Sequence, residues 1–85
     1  MAVTREDLAF LDDALFADGF DAALIGYVQR GAATVALYDA RKCIEILITE
    51  EGMSEEEAIE FFDYNVLSAW VGDGTPAFAF LEDYL

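Results

Sequence analysis

The spacing of apolar residues changes along the chain, and each change marks a predicted element. Thr4-Arg5-Glu6-Asp7 reads as a helix entrance, with Thr4 as N-cap, acids in the first turn, and Val3 and Leu8 spaced as a hydrophobic staple. Leu8, Leu11 and Leu15 continue as one stripe and Gly19 supplies a stop, which predicts a first helix over about Arg5 to Ala17. From Ala22 to Gln29 and from Thr34 to Tyr38 the pattern turns to β-branched and aromatic residues, the side chains that favour strands. Arg30-Gly31-Ala32-Ala33 is then the hairpin connection. The alanines of this stretch keep helix as the competing reading.

Asp39 is placed to cap a second helix whose apolar arc, Cys43, Ile44, Ile46, Leu47 and Ile48, lies opposite Arg41, Lys42, Glu45 and Thr49. Gly52 ends it. Ser54 and Glu57 have the spacing of a capping box, with Met53 positioned to staple onto Ala58, so a third helix follows to about Ala69. At 100° per residue, Ala58, Ile59, Phe61, Phe62, Val66 and Ala69 of that helix face the core. Gly72-Asp73-Gly74-Thr75-Pro76 is a turn, and Ala77 to Leu81 adds a short third strand or an aromatic tail packed on the core. The predicted class is α+β: N-terminal helix, β-hairpin, two further helices and a short extended C-terminal tail.

With 85 residues, a single small globular domain over residues 1–85 is expected, and 56% hydrophobic residues are enough to fill one small core. The net charge of -14, from eighteen acids against four bases, changes the functional picture more than the fold. Binding directly to nucleic acid or to an anionic membrane needs a basic patch, which Arg5, Arg30, Arg41 and Lys42 do not make. A basic partner is expected instead. The bases all precede Cys43, so the segment from Cys43 to Leu85 has eleven acids and no base. A rigid row of carboxylates of this kind can occupy a groove built for phosphates; the plainer reading is that the charge serves solubility.

Neither a basic stretch with an apolar core at the start nor an apolar run near 18 residues occurs, so a soluble, cytoplasmic protein is expected. The single cysteine, Cys43, forms no intramolecular disulfide and reads as a small core residue.

Gly52-Met53-Ser54-Glu55-Glu56-Glu57-Ala58-Ile59-Glu60-Phe61-Phe62-Asp63-Tyr64-Asn65-Val66, followed by Ala69-Trp70-Val71-Gly72 and Thr75-Pro76, resembles the C-terminal signature of small acidic proteins encoded by bacteriophages. Tyr38-Asp39 and Lys42-Cys43-Ile44 resemble the same family, so the likeness spans roughly residues 22–78. It implies a viral gene product acting in the cytoplasm of an infected bacterial host. It brings no assigned activity and no catalytic residues.

Histidine is absent, so catalysis would depend on carboxylates. Glu56, Glu60 and Asp63, at i, i+4 and i+7, share a helix face that suits acid-base work or a hard cation, although a solvated face explains them as well. The expectation is a protein that is not an enzyme and uses no cofactor or metal. Tyr64 and Leu67 fall on the side of the helix shared by Glu57 and Glu60. There they are either covered by Phe78 and Phe80 or form an aromatic and aliphatic anchor within an acidic rim. Glu56, Glu57, Glu60, Asp63, Tyr64 and Leu67 are therefore the candidate partner-binding residues. Trp70 reads as a core or rim anchor.

The leading expectation is a phage protein that inhibits a basic, nucleic-acid-binding host protein, such as a defence nuclease or a transcription factor, by mimicking nucleic acid. The alternative is a small homo-oligomeric or assembly protein.

Overall fold

In the computed structural model, which describes residues 3–82, the β-branched and aromatic stretch forms the predicted hairpin. β1 (Leu24–Arg30) and β2 (Ala33–Asp39) pair antiparallel, with Val28 opposite Val35 and Arg30 opposite Ala33. The turn is tighter than predicted and consists of Gly31 and Ala32, with Gly31 at φ 60°, where a side chain would be strained. β2 is covered on both faces, since Val35, Ala36 and Tyr38 have no solvent exposure. On β1, by contrast, Ile25, Tyr27 and Val28 remain exposed.

Asp39 ends β2 and caps α1 (Ala40–Glu51), its carboxylate accepting from the backbone N–H groups of Arg41 at 3.0 Å and Lys42 at 3.2 Å. Cys43 and Leu47 are buried beneath this helix, and Ile44, Ile46 and Ile48 pack half-buried beside them. Gly52 closes it at φ 70°, with the N–H groups of Gly52 and Met53 both donating to the Leu47 carbonyl. The predicted capping box then opens α2 (Glu55–Phe61): the Glu57 N–H donates to Ser54 Oγ at 3.2 Å and the Ser54 N–H to Glu57 Oε1 at 3.0 Å.

α2 runs into a π-helical turn over Phe62–Leu67, so the helical path stops short of Ala69. After the Gly72 to Pro76 turn, β3 (Ala77–Ala79) lies parallel to β2, giving a three-stranded sheet in the order β1-β2-β3. Parallel neighbours need a long crossover, and α1 with α2 supplies it. An aromatic chain joins sheet to helix: Tyr38 stacks on Phe78 at 5.5 Å between centroids, and Phe62 meets Phe78 edge-on at 5.3 Å and Phe80 at 6.3 Å.

The predicted N-terminal helix does not form, so the described residues contain two α-helices rather than three. Its entrance is present, with the Thr4 N–H donating to Asp7 Oδ2 at 2.9 Å and the Asp7 N–H to Thr4 Oγ1 at 3.3 Å. Only one 3-10 turn, Glu6–Leu8, follows. Further along, backbone donors that a helix would use are bound to distant groups: Leu15 N–H to the Gly74 carbonyl at 3.0 Å, and Ala17 N–H to the Tyr38 hydroxyl at 2.8 Å. Asp12 and Asp13, weak helix formers, fall where the helix would need support. Arg5 fastens the folded-back segment, reaching Asp18 at 3.0 Å and Asp21 at 2.9 Å and lying over the Phe16 ring.

Candidate functional site

The six predicted partner-binding residues, Glu56, Glu57, Glu60, Asp63, Tyr64 and Leu67, are all exposed on α2 and its π-helical extension. The capping box fixes where the helix begins and therefore which way its acids point. Glu57 is partly committed to that cap, because hydrogen bonds from Ser54, the backbone N–H first and then the hydroxyl, hold its carboxyl below the ordinary carboxylate range. Glu56, Glu60 and Asp63 make no ion pair among the described residues. Glu57, Glu60 and Tyr64 come together with Met53, Phe61 and Asn65 around a shallow cleft of about 330 Å³.

Tyr64 is 76% exposed and Leu67 40% exposed. Tyr64 is therefore not covered by the C-terminal segment, whose Phe78 and Phe80 rings meet Phe62. Ala58 and Phe62 are buried and Val66 is half-buried, as the helical wheel predicts, but Ile59, Phe61 and Ala69 are exposed. The i→i+5 turn over Phe62–Leu67 changes the phase beyond it and accounts for Ala69, whereas Ile59 and Phe61 lie within α2 itself, before that turn.

A second and larger concavity, missed by sequence reasoning, surrounds the tip of the hairpin. It encloses about 970 Å³ between the segment Phe10 to Asp13, the β1–β2 turn, Trp70 and the Asp73-Gly74 turn. Phe10 meets Tyr27 edge-on at 5.2 Å. Arg30 lies 4.8 Å from the Trp70 ring centroid and donates to the carbonyls of Asp73 at 3.2 Å and Thr75 at 3.0 Å. Thr75 is buried and stitches the turn together, its Oγ accepting from Val71 N–H at 2.9 Å and donating to the Gly72 carbonyl at 2.6 Å. Gly74 packs against the Asp13 carbonyl, so a methyl group there would collide with backbone. Trp70 is 62% exposed and stands at the rim of this groove, outside the core. No local signal in the sequence joins Phe10, Tyr27 and Trp70, which lie in three separate stretches.

Burial pushes the Cys43 thiol up to about 12, with the Asp39 charge adding to the effect, so Cys43 is a protonated core residue at neutral pH. Among the described residues no group of three side chains is arranged to hold a metal ion, and no helix is long and apolar enough to cross a membrane. What the two concavities present to solvent is exposed carboxylates and aromatic rings. Comparison with protein families, with curated proteins and with solved structures finds no match.

Proposed function

We propose that this is a non-enzymatic protein of phage origin that binds a basic, nucleic-acid-binding host protein through the acidic face of α2 and so inhibits it. The observation that carries this reading is the set of Glu56, Glu60 and Asp63, which make no ion pair among the described residues, beside the exposed Tyr64 ring. They lie in a half of the chain that contains no base. An aromatic anchor within a polar rim is a common composition of a protein-binding hot spot, and carboxylates on a helix meet a phosphate-binding groove with complementary charge. The phage origin rests on the sequence resemblance at residues 22–78.

The test is capture of host proteins by the tagged chain, repeated with Glu56→Lys/Glu60→Lys/Asp63→Lys and with duplex DNA as competitor. A partner that is displaced by DNA, released by salt and lost with the reversed charges is the expected result. A partner retained equally by the charge-reversed chain would refute the proposal.

Self-association is the second reading, favoured by the outer edge of β1. No other strand pairs with that edge among the described residues, and the stretch from Ala22 to Tyr38 contains no acid. Unpaired strand edges are templates for further pairing. Light scattering across a salt series tests it, and a monomer at high concentration and high salt would refute it.

A further inference from the structure

We infer that the groove at the hairpin tip is a second binding site, one that takes an arginine-bearing extended segment of a partner protein. This inference is independent of the α2 face and does not need it. Phe10, Tyr27 and Trp70 line the groove while remaining 60%, 54% and 62% exposed. Exposed aromatic rings sharing one concavity are unusual on a monomer and mark a surface that is covered when the protein acts. The volume of about 970 Å³ lies at the upper end of ligand-pocket sizes, roughly 300 to 1,000 Å³. It therefore accommodates a short stretch of chain more readily than one small ion.

Charge identifies the occupant. Asp12, Asp13 and Asp73 line the groove against a single base, Arg30, whose guanidinium already donates to two backbone carbonyls. An anionic ligand would meet uncompensated carboxylates, whereas a cation gains both from them and from the ring faces. Arg30 itself demonstrates the chemistry: a guanidinium over Trp70 with its N–H groups directed to carbonyl oxygens. A planar guanidinium suits this combination of stacking and directed donation better than the compact ammonium of lysine.

The chain contains one tryptophan, so its emission reports on the groove directly. The experiment titrates the full chain with hexa-arginine, hexalysine and hexaglutamate peptides in physiological salt while following Trp70 fluorescence. Hexa-arginine is expected to give a saturable change, hexalysine to bind several-fold more weakly, and hexaglutamate to give none. Asp12→Asn/Asp13→Asn is expected to weaken hexa-arginine binding about tenfold, and Phe10→Ala to weaken it by a similar factor. Glu50→Gln/Glu51→Gln removes the same number of charges from the end of α1, away from both the groove and the α2 face, and is expected to leave it unchanged, which separates this site from general attraction to an acidic protein. All these positions are exposed, and circular dichroism verifies that each variant keeps its fold. Equal losses in the two carboxylate variants, equal affinity for hexalysine, or no saturable change would overturn the assignment.

Discussion

Replacing Tyr38 with phenylalanine isolates the contact that holds the N-terminal segment in its folded-back path. The ring is buried in the centre of the sheet and stacks on Phe78, and phenylalanine preserves both features. What disappears is the acceptor for the Ala17 N–H, now 2.8 Å from the hydroxyl oxygen. Ala17 is half-buried, so water replaces the lost partner only in part. Loss of a neutral hydrogen bond that leaves its donor incompletely satisfied costs about 1 to 1.5 kcal/mol. For a domain of this size that corresponds to a fall in Tm of roughly 4 to 12 °C. Thermal and urea unfolding followed by circular dichroism measure the loss, and amide hydrogen exchange locates it. Exchange should accelerate at Ala17 and along the segment before it, while the β2 amides keep their rank among the slowest. An unchanged Tm together with unchanged protection at Ala17 would show that the hydroxyl does not hold this segment, and the explanation given for the missing helix would fall with it.

Three further outcomes are expected. Ser54→Ala removes one half of the capping box and should destabilise the protein by about 1 kcal/mol in urea unfolding, an effect that Ser54→Asp largely restores. Gly74→Ala sets a methyl group against the Asp13 backbone carbonyl and should cost about 2 kcal/mol or more, with weakened protection of the Leu15 amide, whose acceptor is the Gly74 carbonyl. Alkaline pH should destabilise the fold through Cys43: its folded value of about 12 lies above the ordinary 9.0, so the stabilisation is complete below pH 9 and is lost as pH rises towards 12. By about pH 10.5 the loss approaches roughly 2 kcal/mol. Burial also raises Tyr38, which adds loss of the same sign above its ordinary 10.0. A Cys43→Ala chain should therefore show a shallower fall in stability between about pH 9 and pH 10.5 than the parent, and parallel curves would contradict this.

The features that could be read from sequence are those whose causes lie within a few residues. Asp39 bonds to Arg41 and Lys42, Ser54 to Glu57, and Gly52 closes its own helix, so each cap was visible in a short window. The N-terminal helix failed for the complementary reason. Its entrance signal at Thr4 and Asp7 is present, but the chain beyond it is held by Tyr38, Gly74, Asp18 and Asp21. Tyr38 and Gly74, which take the helix's own backbone donors, are brought near only by folding. The exposure of Tyr64 and Leu67 was half-legible. The wheel placed them beside Glu57 and Glu60, but nothing in Phe62 to Leu67 announces an i→i+5 turn. The groove at the hairpin tip was not legible, because Phe10, Tyr27 and Trp70 come from three separate stretches joined by Arg30 and Thr75.

The distribution of charge ties the acidic face to the choice between the two functional readings. Every base is engaged within the chain: Arg5 with Asp18 and Asp21, Arg41 with Glu82, Lys42 with Glu45, and Arg30 with carbonyls and Trp70. Among the described residues no basic side chain is left over to neutralise Glu56, Glu60 and Asp63, so two copies meeting through α2 would set like charges against one another. Each such pair at 10 Å costs about 0.4 kcal/mol in water, and the cost accumulates over the face. A basic partner reverses the sign of every one of those terms. Copies meeting through the acid-free β1 edge avoid the local repulsion and retain only the long-range repulsion of two bodies of charge -14. Salt screens that remainder, so pairing through β1 should tighten as salt rises, whereas a complex with a basic partner through α2 should loosen.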